Sequence, residues 1–255
     1  MVRRTFVLGS LSLLLALVAA PAGSRAQDAP SLDAITRNID DLFRSAASVA
    51  RMEVTIVTPR TTRTMRMTSR SRGADRALIV IESPARDEGT ATLRRDRSLW
   101  NYLPRISRTM RVPPSMMHSS WMGSDLTNDD LTQGSTFRDD YTGALVGRSD
   151  SPSGWLVRYQ AREGVVGLWL RVDYVVNDDG TLPLEARFYD RRSELARVMR
   201  FEDVREMDGR RIPSRMVIEP VDREGHRTEL RYLSMDFDAD VPESTFSLTE
   251  LERRR

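Results

Sequence analysis

Between Ser31 and Phe43 the apolar residues Leu32, Ile35, Ile39, Leu42 and Phe43 recur at spacings of three and four. That spacing draws one apolar stripe along a helix, with Ser31 as its N-cap and Asp33 near the positive end of its dipole. From Met52 the period changes to two. Met52, Val54 and Ile56 alternate with Glu53, Thr55 and Val57 before Pro59, Met65 and Met67 alternate with Arg66 and Thr68 between Thr64 and Ser71, and Leu78 to Glu82 is a β-branched run ended by Pro84. These are three strands of a meander. Ala91 to Arg94, with a tight turn at Asp96, and Leu99 to Leu103 continue it, and Ile106 to Val112 is a further strand cut off by Pro113 and Pro114. Ser115 to Ser120 reads as irregular chain or a turn of helix. Gly123-Ser124-Asp125 then leads to a second helix start, with Asp129 and Asp130 near its positive end.

Beyond Phe137 the two-residue period returns in Ala144 to Gly147, Trp155 to Tyr159, Leu168 to Val176, Leu184 to Tyr189, Ala196 to Val204, Ile212 to Ile218 and Thr228 to Met235. Hairpin-type spacers separate them, among them Asn177-Asp178-Asp179-Gly180, Asp208-Gly209 and Glu224-Gly225. So many short strands in one antiparallel sheet must curl or close. There is no internal repeat and no low-complexity linker, so the pattern predicts a single domain after the N-terminal segment.

That segment changes the picture of where the protein works. Arg3 and Arg4 precede an apolar run from Phe6 to Ala20 that ends in small residues, with Ala20-Pro21-Ala22 and Ser24-Arg25-Ala26 as cleavage sites. Residues 1–26 therefore read as a secretory signal peptide and 27–255 as the mature domain. The run is shorter than the roughly 20 apolar residues of a membrane span, so the cleaved chain is not expected to span a membrane. The twin arginines leave the Sec and Tat export routes both open. With 0 cysteines the chain lacks the residue a lipoprotein anchor needs, and it must be held together by its core.

Export also corrects the charge. The chain has 39 basic and 37 acidic residues, but Arg3, Arg4 and Arg25 leave with the signal, so a net of +2 becomes −1. Every basic residue is arginine, and both signs are interleaved along the strands, the pattern of solvated sheet faces and not of a nucleic-acid groove.

Catalytic chemistry finds no support in the motifs. His118 and His226 are the only histidines, neither in a metal-ligand spacing, and a nucleophile elbow, a Walker loop and a dinucleotide fingerprint are all missing. The expectation is a protein that is not an enzyme, with no catalytic residue, cofactor or metal. Asp125, Asp129 and Asp130 lack the closing Glu of a 12-residue calcium loop, and helix capping accounts for them, Thr127 and Asp130 having capping-box spacing. Arg105, Arg108 and Arg111 recur every third residue and cannot share a strand face, so surface charge is their default reading, with anionic headgroups or acidic protein as the alternative. What remains is an apolar concentration: Trp100, Tyr102, Leu103, Met110, Met116, Met117, Trp121 and Met122. Methionine adapts to irregular apolar partners, and these residues are either plain core or the lining and lid of a ligand cavity on the hollow side of a curled sheet.

Leu99-Trp100-Asn101-Tyr102-Leu103-Pro104, Arg108, Arg111, Trp121-Met122-Gly123-Ser124-Asp125-Leu126 and Asp129-Asp130-Leu131 together resemble the core motif of the LolA-like outer-membrane lipoprotein-sorting proteins, in the branch associated with RND-type exporters. Trp121 departs from the Phe or similar apolar residue expected there, without changing the apolar character. The resemblance implies a mainly β (α+β) fold in which a strongly curved antiparallel sheet forms an incomplete β-barrel with helices over its open side. It further implies a non-catalytic periplasmic carrier that binds lipids or lipoprotein acyl chains in an apolar cavity. An accessory or sensory module that docks an RND-type exporter or an envelope-stress partner is the alternative.

Overall fold

The structure is a computed structural model that describes residues 29–132, 136–165 and 169–252. The segment read as a signal peptide lies outside these residues, as do Leu168, where the pattern starts a strand, and the Arg253 to Arg255 tail. Helix α1 (Leu32–Asp41) opens the described chain, with the Ser31 side chain accepting from the Ala34 N–H as its N-cap. Then come β1 (Ala47–Val57), β2 (Thr62–Arg72), β3 (Arg76–Ser83), β4 (Ala91–Arg95), β5 (Ser98–Leu103) and β6 (Arg108–Val112). Two short helices, α2 (Asn128–Thr132) and α3 (Phe137–Asp140), precede β7 (Tyr141–Asp150), β8 (Ser153–Ala161), β9 (Arg171–Val176), β10 (Pro183–Tyr189), β11 (Leu195–Met207), β12 (Arg210–Pro220) and β13 (Arg227–Asp236). A 3₁₀ turn (Glu243–Phe246) and α4 (Leu248–Glu252) follow.

All thirteen strands form one antiparallel sheet in the order β6-β5-β4-β3-β2-β1-β13-β12-β11-β10-β9-β8-β7. Strands β1 and β13 meet in the middle, with Val54 opposite Leu230, and each half runs outward as a meander. The two edges are therefore β6 and β7, strands that are consecutive in sequence. Twelve inter-strand spacings of about 4.8 Å would hold the edges about 58 Å apart in a flat sheet. Residues from both halves of the sheet instead meet in one core, so the sheet curls, and Trp121, Leu126 and Leu131 of the connection lie on its hollow side. Register shifts at Arg51/Met52, Arg66/Met67 and Leu145/Gly147 add the local twist that such curling needs.

The concave face carries the main core. Met52, Val54, Met65, Met67, Ile79, Tyr159, Tyr174, Met199, Ile218 and Tyr232 point into it, and Trp121, Leu126 and Leu131 of the connection close it from above. Helix α1 is fixed to this core by polar contacts the hydrophobic pattern does not reveal. Thr36 Oγ1 lies 3.0 Å from Tyr159 Oη, and the buried Asp40 carboxylate accepts from the N–H groups of Phe137 (2.7 Å) and Arg138 (3.1 Å) at the start of α3. A second, smaller core lies on the convex face, where Val241, Phe246 and Leu251 of the C-terminal segment pack on Leu78, Val80, Leu93 and Tyr102. Strand β3 is therefore buried on both faces, which is why it reads as a continuous apolar run.

The structure corrects two details of the pattern. The single helix expected after Asp125 is two short helices, and the first begins only at Asn128. Strand β11 runs to Met207, beyond the expected Val204, because residues 204–207 pair with β12 in a largely solvent-exposed hairpin arm where no apolar alternation is required. That arm closes through Asp208 (φ 48°) and Gly209 (φ 73°), the paired left-handed conformation of a tight hairpin turn.

Candidate functional site

The crossing segment is built around a small turn. Trp121 N donates to Leu126 O at 2.8 Å and Ser124 N to Trp121 O at 2.9 Å. Between them Met122 (φ 51°) and Gly123 (φ 77°) are both left-handed, a conformation that costs a Met side chain energy and a glycine little. The wholly buried Ser124 hydroxyl donates to Trp121 O (2.7 Å) and accepts from Leu126 N (3.2 Å). The Trp-Met-Gly-Ser-Asp-Leu run thus has a conformational reason for each of its small residues, and its effect is to drive Trp121 and Leu126 into the concave core.

Polar groups tie this plug to both halves of the sheet. On the first half, Trp121 Nε1 donates to Thr92 Oγ1 on β4 (3.3 Å), Arg94 Nη1 to Thr132 O (3.2 Å), and the Arg63 guanidinium on β2 to Met122 O. On the second half, Asp125 N donates to Thr228 Oγ1 (2.8 Å), whose hydroxyl donates back to the Asp125 carboxylate, and Arg223 Nη2 reaches the same carboxylate at 2.7 Å. Asp130 receives both Nη atoms of Arg197 at 2.7 Å. Arg197 lies on β11 with its side chain 4% exposed, its guanidinium 4.5 Å from the Trp169 ring centroid and 4.2 Å from that of Phe188.

The capping reading of the acidic residues is half the story. Thr127 N donates to Asp130 Oδ2 (2.7 Å) and Asp130 N to Thr127 Oγ1 (3.0 Å), so the capping box at the start of α2 exists. The pairing of Asp130 with Arg197, and of Asp125 with Thr228 and Arg223, joins residues 67 to 103 positions apart, and no local spacing encodes it. Burial alone would raise the Asp130 carboxyl, but the Arg197 charge, its hydrogen bonds and those from Thr127 outweigh it and hold the pKa below the ordinary carboxylate value. Burial pushes the Tyr159 phenol up to about 12, against the bond from Thr36, and raises Tyr141 and Tyr174 further. These tyrosines stay neutral and serve as core. Among the described residues no group of His, Cys, Asp and Glu is placed to hold a metal ion.

The eight apolar residues singled out from the sequence fall into four places. Trp121, with 3% exposure, and the partly buried Met122 belong to the plug and the concave core. Trp100 and Tyr102 lie on the opposite face, under the C-terminal segment. Leu103 and Met110 follow the strand face of Asn101, toward the hollow side, at its rim, where Met110 is 46% exposed. Met116 and Met117 lead from the β6 edge into the plug, where Asn128 Nδ2 donates to Met116 O (3.0 Å) and Asp129 N to Met117 O (3.1 Å).

The hollow side is filled in this conformation. A recess of about 40 Å³, lined by Phe43, Ala50, Met52, Leu131, Tyr232 and Met235 among others, lies beneath the end of the plug. That is room for about one water molecule, against the several hundred Å³ of sites that enclose organic ligands. A larger recess of about 250 Å³ sits outside, at the β12–β13 turn between Glu219 and Arg227, and is open and polar.

A curled, unclosed antiparallel sheet with its hollow side plugged by the connection between its two edges is a LolA-like fold. A family model described as an uncharacterized protein matches residues 73–253, and the chain belongs to that family. Among solved structures, a DUF1329 family protein from Desulfovibrio piger is 25% identical, with a TM-score of 0.77 over 86% of this chain and 96% of that one. A putative outer membrane lipoprotein-sorting protein domain from Vibrio parahaemolyticus is 20% identical (TM-score 0.75, 86% of this chain and 97% of that one). A LolA superfamily protein from Nitrosomonas europaea is 21% identical (TM-score 0.72, 86% and 98%). No curated protein matches the chain. The fold is thus the one found in lipoprotein-sorting proteins, and among the described residues no helix is long and apolar enough to cross a membrane.

Proposed function

We propose that this protein is a non-catalytic carrier of the periplasm, which receives the acyl chains of a lipid or lipoprotein on the concave face of its sheet when the 113–132 plug lifts. The observation that carries this reading is the way the interior is filled. The concave face is apolar across the sheet, and its occupant is a crossing segment held from both halves by side-chain contacts rather than a strand locked into the sheet ladder. Such a segment can leave without unpairing any strand. An acyl chain that takes its place gains roughly 0.8 kcal/mol per buried CH₂, so a long chain can offset the apolar contacts that Trp121, Leu126 and Leu131 give up. Trp121 and Met122 are then the ligand-facing part of the sequence-derived set, Leu103, Met110, Met116 and Met117 the rim, and Trp100 and Tyr102 the support of the C-terminal segment.

The test is lipid extraction and mass spectrometry of protein isolated from its own envelope, combined with titration of long-chain acyl ligand followed by tryptophan fluorescence. Co-purified lipid and a saturable change that is lost in Trp121→Phe support carriage. Protein free of lipid that shows no saturable change contradicts it. In-cell photocrosslinking from position 121 then separates cargo from a docked envelope protein such as an exporter.

A further inference from the structure

We propose that the β5–β6 hairpin and the 3₁₀ turn after it (Pro114–Met116) form a lip that docks on an anionic lipid surface. Among the described residues eight large apolar side chains are exposed, and three of them fall within this short stretch: Ile106 (57%), Met110 (46%) and Met116 (49%). The other five, Val146, Val204, Val221, Leu233 and Leu248, are scattered singly. Ile106 stands at the hairpin tip, Met110 on β6 and Met116 just beyond it, so the three line the free edge of the sheet.

The charge on this lip is of one sign. From Arg97 to Ser124 the sequence contains no Asp or Glu, in a chain with 37 of them. Arg105, Arg108 and Arg111 are all exposed, and among the described residues none of the three forms an ion pair, although ion pairs cover much of the remaining surface. Arg111 instead rests 5.9 Å from the Trp100 ring centroid and donates to Ser98 Oγ at 2.8 Å.

Charges on an edge strand are an ordinary defence against strand pairing with another molecule. That defence does not explain three large apolar side chains standing in water among them. Arginines interspersed with exposed apolar groups match the two layers of an anionic bilayer surface, the guanidinium groups meeting phosphates and the Ile and Met side chains entering the acyl boundary. Docking needs no cargo, so this surface stands or falls separately from the carrier reading.

The experiment is flotation of the mature protein with vesicles of phosphatidylcholine, with and without phosphatidylglycerol. Binding is expected only with the anionic lipid and is expected to weaken with salt. Combined Arg105→Gln, Arg108→Gln and Arg111→Gln should lower partitioning roughly 100-fold, from about 1 kcal/mol per arginine. Combined Ile106→Ser, Met110→Ser and Met116→Ser should also lower it. A control set of equal charge change at exposed sites elsewhere, Arg60→Gln, Arg192→Gln and Arg211→Gln, should bind nearly as the parent does, and melting temperatures establish that every variant is folded. Equal binding to neutral vesicles, equal loss in the control set, or no vesicle binding together with crosslinks from the lip to an acidic protein would each overturn the proposal.

Discussion

Replacing Arg197 by Met keeps most of the apolar stem between Trp169 and Phe188 but deletes the charge that faces Asp130. The carboxylate, 17% exposed, is left with the Thr127 bonds, and Asp125 O loses its 2.9 Å donor. Breaking a buried pair from one side typically costs about 3–5 kcal/mol, because a charge is stranded in a poorly solvated place. For a domain of this size that lowers the melting temperature by about 6–20 °C. In an Asp130→Asn background the buried Arg197 is the charge left without a partner, so the same Arg197→Met step removes a stranded charge and should cost about 1 kcal/mol or less. Urea unfolding of the four proteins gives the coupling, and amide exchange in residues 117–132 shows whether the plug loosens first. The pH dependence adds a second sign. In the parent the depressed Asp130 pKa stabilises the fold above the unfolded value of about 3.9, and this stability is lost as pH falls through the folded pKa. In Arg197→Met burial, the largest influence on that carboxyl, is opposed only by the Thr127 bonds and raises its pKa, so acidification from neutral should at first stabilise the variant. A cost below 1 kcal/mol in the parent, or equal costs in both backgrounds, would refute the reasoning.

Other consequences follow from the same contacts. Gly180 has a φ of 71° and an added Cβ would lie 2.9 Å from both Ile35 and Pro30, so Gly180→Ala should destabilise by about 1–3 kcal/mol in urea unfolding and loosen α1. Trp121→Ala should cost about 3–5 kcal/mol, and the enlarged interior should raise binding of an apolar fluorescent dye; unchanged dye binding would argue against the plug filling the cavity. Tyr159→Phe, which removes one of the two hydrogen-bond partners of the Thr36 hydroxyl, should cost about 0.5–1.5 kcal/mol by the same measurement.

The strands were legible because their burial alternates. On β1 every second residue from Ser48 to Ile56 is buried, and that is the pattern the sequence carries. The curled antiparallel sheet, the α1 stripe and the capping box at Thr127 could be read for the same reason, since each is local. What could not be read was which face each strand presents to which partner. Trp100 and Tyr102 share a face, as the period of two requires, but the face is the convex one, and its partner comes from Val241, Phe246 and Leu251 more than 130 residues away. Arg197 gave no signal at all. It sits in a strand whose alternate positions Met199 and Phe201 are core, and an arginine there reads as a solvent-facing residue. The available hint was the concentration of acid in Asp125, Asp129 and Asp130 beneath a sheet rich in arginine.

The central claim is that the plug must leave the concave face before cargo can enter, and the absence of cysteine allows a direct test. Asp125→Cys with Thr228→Cys replaces two groups already in hydrogen-bond contact and introduces the molecule's only two thiols. Acyl-chain binding should be abolished in the oxidised, crosslinked protein and restored by a thiol reductant, with the reduced double variant as the reference. Equal binding by the crosslinked and reduced forms would contradict the account.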